Sequence, residues 1–189
     1  MQPAFAAGFY SASGEMLTQS MDELPNTHAM IALMRDGFHK DSEGGKVELD
    51  SLQRPIVDYT VNKYLQEGAK RAILTMVEMQ FAVGATKARP LHRRAPFYTK
   101  WKDAKAGIEK LDFSPNRVTI GSAHVMGGCA MGEDAKHSVT NSEGKFHHLD
   151  DLYVMDGSLF PTSIGANPQL SIYGLVLKNA TSLARQLNA

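Results

Sequence analysis

The chain has 189 residues, of which 43% are apolar and 21% are charged, and its 20 basic residues balance its 20 acidic ones. This length is enough for one domain with a core, or for a large piece of a longer protein. The neutral balance predicts no affinity for nucleic acid. A single cysteine excludes an internal disulfide and favours a reducing compartment such as the cytoplasm. No apolar run is long enough for a membrane span, so we expect a soluble protein.

The first half of the chain begins with weak signals and then shows a clearer one. Residues 1–24 mix small, polar and acidic side chains without a period, which predicts irregular structure. Residues 28–35, HAMIALMR, form an apolar run that predicts either a buried strand or a short helical piece. The sequences KVELD and PIVDY, at residues 46–50 and 55–59, predict two short strands joined by a polar connection. The pair is therefore expected to form a β-hairpin.

Two helices and a loop are predicted next. Apolar residues recur at steps of three and four from Asn62 up to Gly84, which predicts an amphipathic helix. Residues 85–98 contain two prolines and predict a loop, and a second helix is expected over residues 100–111. The loop carries a basic cluster that could bind phosphate or single-stranded nucleic acid, but a solvated surface is the better interpretation in a neutral protein. This cluster consists of Arg89, His92, Arg93 and Arg94.

The C-terminal third predicts a strand, a turn and a buried helix. The run LYVM at residues 152–155 predicts a strand that ends at Asp156 and Gly157. A carboxylate and a glycine at this point let a ligand approach the backbone and bind through a hydroxyl or amide. Asn167 and Pro168 stand where the cap and first residue of a helix are expected. The apolar first turns of that helix predict burial, and its amino end would present N–H groups to a ring or an anion.

Residues 122–134, SAHVMGGCAMGED, combine one histidine, three glycines and the cysteine. A zinc site is disfavoured because His124 and Cys129, even with His147 and His148, lack paired ligand spacing. Small residues and methionines around Cys129 suit a packed thiol better than a nucleophile, and no G-x-S-x-G motif predicts a serine hydrolase. The remaining interpretation makes His124 a proton acceptor on a backbone that approaches a flat ligand closely.

This segment, followed by LYVMDGSLFPTSIGANPQLSIYGLVLKNA, resembles the C-terminal signature of the glucose-methanol-choline (GMC) oxidoreductases, which are FAD-dependent alcohol oxidases and dehydrogenases. The resemblance covers residues 117–187 and is specific, because several unusual elements occur in the right order. It implies an α+β fold. Residues 1–116 would be part of the substrate-binding domain, an antiparallel sheet with covering helices, and residues 117–189 would add the strand and helix that complete the FAD domain.

The resemblance also implies a role for each matching residue. His124 would be the catalytic base and Asn167 its partner, which makes the chain a member of the His/Asn type. Asp156 and Gly157 would lie against FAD, and Asn167 and Pro168 would lie at the pyrimidine end of the flavin. A CH–OH group would be oxidised as His124 takes the hydroxyl proton, the hydride passes to flavin N5 and Asn167 holds the oxygen. The substrate would be a small-molecule alcohol, with sugar, sterol, choline and long-chain alcohols all open.

One expected motif is missing from the sequence. GMC proteins bind the ADP part of FAD through a G-x-G-x-x-G turn, and no such turn occurs in these 189 residues. We therefore expect the FAD-binding half to come from an N-terminal portion or a partner chain, and we expect the chain alone to be colourless. Two alternatives stay open: a noncatalytic binding or assembly module, and a fragment that is inactive without its partner.

Overall fold

The computed structural model describes residues 2–10, 12–37, 39–42 and 44–188. Within these ranges the protein is α+β, with helices and one two-stranded antiparallel sheet. The elements are α1 Pro3–Phe9, α2 Gly14–Asp22, β1 Gly45–Leu49, β2 Pro55–Tyr59, α3 Lys63–Ala82, α4 Trp101–Glu109 and α5 Gln169–Leu187, with short 3₁₀ turns at Leu24–Asn26 and Gly157–Leu159. None of the helices in the described ranges is both long and apolar enough to cross a bilayer.

The chain divides into two compact units. Unit 1 contains Met1–Met34 and Val61–Gly121, and unit 2 contains Arg35–Thr60 and Ser122–Ala189. The two residues predicted to form the catalytic pair therefore both belong to unit 2.

The apolar core of unit 1 is built on α3. Asn62 caps this helix through its side-chain oxygen, which accepts a hydrogen bond of 3.1 Å from the N–H of Leu65. The helix ends before Gly84, whose φ of +93° favours glycine. Both predicted helices are confirmed, and α4 packs on α3. Their buried apolar side chains are Leu65, Ala69, Ile73 and Val77 from α3, and Ala104 and Ile108 from α4, joined by Phe113.

The prediction of irregular structure over residues 1–24 is wrong, because α1 and α2 occupy most of this segment. Residues 1 and 11 lie outside the described ranges. Pro3 presets the backbone at the start of α1, where its missing N–H costs nothing. Helices of 7 and 9 residues make about two turns each, so each offers few apolar repeats from which it could be predicted.

The apolar run at residues 28–35 forms neither a strand nor a helix. Ile31 is 77% exposed and Leu33 is 63% exposed. The run connects the two units, since Met34 belongs to the first and Arg35 to the second. Apolar composition alone was therefore not enough to predict a strand or a helix in this segment.

The loop at residues 85–98 is confirmed, but His92 does not belong to a solvated surface as predicted. Its side chain is fully buried. Its Nε2 lies 2.8 Å from the carbonyl oxygen of Asp112, and its Nδ1 accepts the N–H of Arg94 at 3.1 Å. Because both ring nitrogens are satisfied inside the unit, His92 stabilises the loop.

In unit 2 the predicted hairpin is confirmed. Strands β1 and β2 pair antiparallel, with Val47 opposite Val57. In the turn, Asp50 accepts hydrogen bonds from the backbone N–H of Arg54 at 2.9 Å and from its Nε at 2.7 Å. These hydrogen bonds hold the pKa of the Asp50 carboxyl below its ordinary value. All residues of β1 and β2 are exposed, so within the described part of unit 2 no helix covers this hairpin.

The predicted strand at residues 152–155 is also wrong. Tyr153 makes only an isolated bridge to Lys145, and the Val154 N–H donates to the carbonyl of Gly144 at 2.8 Å. The neighbouring chain turns tightly at Gly144, whose φ is +81°, so the pairing cannot extend into a ladder.

The last helix is confirmed, but its predicted start and burial are wrong. Pro168 is the cap residue of α5, and Gln169 is its first helical residue. The helix buries only Asn179 among its described residues. Leu170, Tyr173 and Leu177 are 82%, 58% and 70% exposed. Within the described part of unit 2, the hairpin does not pack along α5, and these apolar side chains remain open to solvent.

Candidate active site

A cleft of about 310 Å³ in unit 2 contains both His124 and Asn167. These two side chains come from a glycine-rich loop and from the residue that precedes the cap of α5. The lining residues are Ala123, His124, Asn167, Pro168, Gln169, Ile172 and Tyr173. The structure thus brings together the imidazole and the carboxamide that the sequence predicted as a pair.

The loop that carries His124 is attached to the 3₁₀ turn by backbone hydrogen bonds. The N–H of Cys129 donates to the carbonyl of Ser158 at 3.1 Å, and the N–H of Met131 donates to the carbonyl of Leu159 at 2.9 Å. Leu159 is fully buried beside this pairing. Gly127 has a φ of +84°, and a Cβ there would lie 3.4 Å from the carbonyl oxygen of Pro161. The positive φ therefore favours glycine at the turn that brings the two segments together.

Gly157 brings three segments together at the base of the site. A Cβ at this position would lie 2.9 Å from Cδ1 of Ile172 on α5 and 3.5 Å from the carbonyl oxygen of Val125. Because Val125 follows His124 and Ile172 lines the cleft, the missing side chain of Gly157 allows the loop and α5 to approach each other. Asp156 caps the 3₁₀ turn by accepting the Ser158 N–H at 2.8 Å.

Asp156 and Gly157 were predicted to contact FAD, yet neither belongs to the residues that line the cleft. The structure gives them local contacts that shape the turn. A role in FAD binding stays a prediction for both residues. Pro168, the other predicted cofactor residue, lines the cleft and is buried.

Asn167 is not the helix cap that the sequence predicted. Pro168 occupies the cap position with φ −87° and ψ −6°, and the N–H of Ile172 donates to its carbonyl at 2.8 Å. Within the described ranges the Asn167 carboxamide has no hydrogen-bond partner, and it is exposed. The ring of His124 is likewise exposed and makes no hydrogen bond to the described residues. Both groups therefore retain their full hydrogen-bonding capacity at the same cleft.

Four lining residues were not predicted from the sequence: Ala123, next to His124, and three residues on α5. Gln169, Ile172 and Tyr173 lie in the first turns of α5 at steps of three and four, which places them on one face. Nε2 of Gln169 donates to the hydroxyl of Tyr173 at 2.7 Å. This spacing is visible in the sequence. Once Asn167 is assigned to the site, it could have identified the three residues on α5.

Two residues weighed as alternative ligands have other contacts. Cys129 is half-buried, which fits a partly packed thiol. Nε2 of His147 lies 2.8 Å from the hydroxyl of Ser138 and 3.1 Å from the carbonyl oxygen of Gly132. His147 therefore stabilises the segment that follows the glycine-rich loop.

The chain is similar in sequence to several known proteins. A family model described as GMC oxidoreductase matches residues 40–175. A long-chain-alcohol oxidase of Arabidopsis thaliana is 28% identical over 187 residues, which cover 90% of this chain and 23% of that protein. Paromamine 6'-oxidase of Streptomyces fradiae is 34% identical over 83 residues, covering 44% of this chain and 15% of that protein. Cholesterol oxidase of Acinetobacter baumannii is 37% identical over 54 residues, covering 29% of this chain and 10% of that protein. The chain spans about a quarter of the length of the long-chain-alcohol oxidases that it matches.

Proposed function

The chain belongs to the GMC oxidoreductase family, and on that premise we propose that it is the C-terminal part of an FAD-dependent enzyme that oxidises an alcohol. The observation that carries the proposal is the cleft in which His124 and Asn167 both present unused hydrogen-bonding groups. A base and a donor of this kind are the two polar functions that oxidation of a CH–OH group requires from the protein.

The residues of the cleft fit one side of a flat ring with polar edges. Ala123, Pro168 and Ile172 offer apolar contact, and His124 and Asn167 offer polar contact. FAD, when bound, supplies the acceptor for the hydride that leaves the alcohol carbon. Pro168 and the first turn of α5 would hold the edge of the ring, because the positive end of the helix dipole stabilises negative charge.

His124 and Asn167 divide the remaining chemistry between them. A nitrogen of the His124 imidazole accepts the hydroxyl proton of the alcohol. Because imidazole is a much weaker base than an alkoxide, this proton must leave in step with the hydride. The Asn167 carboxamide donates an N–H to the same oxygen and holds it, since an amide nitrogen does not accept the proton. Positioning the hydroxyl between the two groups lowers the entropic part of the barrier.

The substrate proposed is a long-chain alcohol. The long-chain-alcohol oxidases match almost the whole chain, whereas paromamine 6'-oxidase and cholesterol oxidase match shorter stretches of it. This distribution supports an extended aliphatic substrate over a sugar-like or sterol one.

The partner proposed is a dinucleotide-binding GMC half, located either on the same polypeptide or on another chain. The sequence contains no G-x-G-x-x-G turn, and the chain spans about a quarter of its long relatives. Leu170, Tyr173 and Leu177 form an exposed apolar stripe on α5, which begins at the cleft. We assign this stripe to contact with the dinucleotide-binding half, where burying it would complete the flavin site.

Co-expression of the chain with a dinucleotide-binding GMC half tests the proposal. The chain alone is expected to be colourless and the complex to be yellow with one FAD. Under anaerobic conditions 1-dodecanol is expected to bleach the flavin faster than paromamine or cholesterol. A yellow complex that none of these alcohols bleaches would contradict the enzymatic function. Stoichiometric FAD on the isolated chain would contradict the shared flavin site.

A further inference from the structure

The loop that leads to Asn167 is hydrogen-bonded to a segment 125 residues earlier in the chain. The hydroxyl of Thr162 donates to the carbonyl oxygen of Gly37 at 2.9 Å. The N–H of Gly37 in turn donates to the carboxylate of Asp36 at 2.7 Å and to the carbonyl of Ser42 at 3.0 Å. Ser42 is 1% exposed, and its hydroxyl donates to the same carboxylate. Because these hydrogen bonds close the turn internally, the Gly37 carbonyl is a fixed acceptor for Thr162.

A second contact joins the same two segments three residues further along the loop. Gly165 has a φ of +75°, and a Cβ at this position would lie 2.5 Å from Nε and 2.7 Å from Cζ of Arg35. The Arg35 side chain therefore lies directly over the α-carbon of Gly165. The backbone angle favours glycine here, and a Cβ would displace the arginine side chain.

The orientation of Asn167 depends on this loop. Its carboxamide has no hydrogen bond to any described residue, so no hydrogen bond fixes the position of this side chain. The backbone before it is held by the Thr162 and Arg35 contacts and by the Gly165 N–H, which donates to the Ser163 hydroxyl at 3.3 Å. The backbone after it enters α5 through the buried Pro168.

We propose that Arg35 and Thr162 are positioning residues that hold Asn167 at the cleft. The inference rests on the proposed function, because it assumes that Asn167 acts on the alcohol oxygen. It adds to that function Arg35 and the Gly37 carbonyl, which lie in the segment before the hairpin and are remote in sequence from both members of the pair. A catalytic group displaced by about 1 Å loses up to about 100-fold in rate, so such contacts matter even without touching the substrate.

Substitution of Thr162 in the FAD-loaded complex gives the first test. Thr162→Val is expected to lower the limiting rate of flavin bleaching about tenfold, measured with the most effective of the three alcohols named above. The half-saturating alcohol concentration should change by less than about twofold, since the groups that bind the rest of the alcohol remain in place. Thr162→Ser keeps the hydroxyl and should restore the rate. Thr60→Val, at an exposed threonine of the same unit, is the matched control.

The second test asks whether Thr162 acts through Asn167. In an Asn167→Ala background, Thr162→Val should cause no further loss of rate, because the residue that it positions is gone. Equal losses in both backgrounds, or no loss from Thr162→Val alone, would overturn the positioning role and leave the proposed function standing. An unchanged rate in Asn167→Ala itself would overturn the proposed function, and the inference with it.

A structural measurement separates positioning from a loss of folding. Rates are expressed per bound flavin, and amide hydrogen exchange is followed at residues 163–167. Arg35→Ala and Thr162→Val should each speed exchange there about tenfold, while Arg54→Ala, a control at the exposed hairpin, should not. Unchanged exchange at residues 163–167 in both variants would contradict the positioning role, even if the catalytic rates fell.

Discussion

The two long helices of this protein differ sharply in what they bury. Helix α3, with 20 residues, buries four apolar side chains in unit 1. Helix α5, with 19 residues, buries only the polar Asn179 and leaves Leu177 70% exposed. Both helices carry enough apolar residues to form a packing face. The comparison indicates that α3 is stabilised by packing within unit 1, whereas the apolar side chains of α5 stay exposed, as the proposed contact with a dinucleotide-binding half requires.

The same difference extends to the interiors of the two units. Unit 1 contains the apolar core around α3 and α4. Among the described residues of unit 2, the buried apolar side chains are those of Leu159 and Pro168, and the buried polar ones are those of Ser42, Thr140 and Asn179. The unit that carries the candidate site thus depends more on hydrogen bonds and glycine contacts than on apolar burial.

The largest effect is expected from placing a carboxylate on each helix in turn. Val77→Asp puts a charge at a side chain that is 6% exposed and should lower the free energy of unfolding by more than about 3 kcal/mol. Leu177→Asp, at an open position, should change it by less than about 0.5 kcal/mol. Denaturant unfolding followed by the fluorescence of Trp101 and by circular dichroism measures both. Equal losses in the two variants would show that the α5 face is covered.

A smaller effect is expected of Leu177→Asp on the affinity of the chain for the dinucleotide-binding half. The variant should bind that half at least about tenfold more weakly, since it places a charge in the apolar stripe assigned to the contact. Gln186→Asp adds the same charge on the opposite side of α5 and serves as the control. Titration followed by flavin absorbance gives both affinities. Equal binding by the two variants would remove the stripe from the interface.

A gain in stability is expected inside unit 2. Thr140 is fully buried, and its hydroxyl oxygen has no hydrogen-bond partner among the described residues. Thr140→Val replaces this hydroxyl by a methyl group of similar shape and should raise the free energy of unfolding by about 1 kcal/mol. Thermal unfolding of Thr140→Val and of the unmodified protein measures this difference in stability, and Thr60→Val, at an exposed threonine, is the control. A lower melting temperature in Thr140→Val would indicate that the hydroxyl has a partner.

The smallest effect concerns the acid sensitivity of the exposed hairpin. Hydrogen bonds from Arg54 and from the N–H of Leu52 hold the pKa of Asp50 below its ordinary value of 3.8. A lowered pKa in the folded state contributes stability that is present above the ordinary value and is lost as pH falls through the lowered one. Titration of the Asp50 carboxyl by NMR should therefore give a pKa below 3.8. A value at or above it would show that the turn does not hold in solution.

Local signals in the sequence predicted the parts of the fold that local forces determine. The cap at Asn62, the spacing along α3 and the glycine at position 84 specify that helix almost alone. The hairpin follows in the same way from two short patterns and a polar turn. The apolar runs at residues 28–35 and 152–155 were misinterpreted, because apolar content does not say which surface will cover a segment.

In the candidate site, too, some features could be predicted from local sequence and others depend on tertiary packing. A resemblance carried by two short segments was enough to pair His124 with Asn167, and both line one cleft. The contacts that hold them could not be predicted, because they join residues that are distant in sequence. Gly157 against Ile172 and Arg35 over Gly165 depend on the tertiary packing, and no local pattern reports it.

Flavin reduction by an alcohol in the complete, FAD-loaded complex tests the proposed role of His124 most directly. His124→Ala should retain bound FAD, because the residue supplies a proton acceptor and is one of several that line the cleft. Its flavin should be bleached at least about 100-fold more slowly than that of the unmodified complex under anaerobic conditions. A variant that bleaches as fast as the unmodified complex would show that another group takes the proton, and His124 would lose its assigned function.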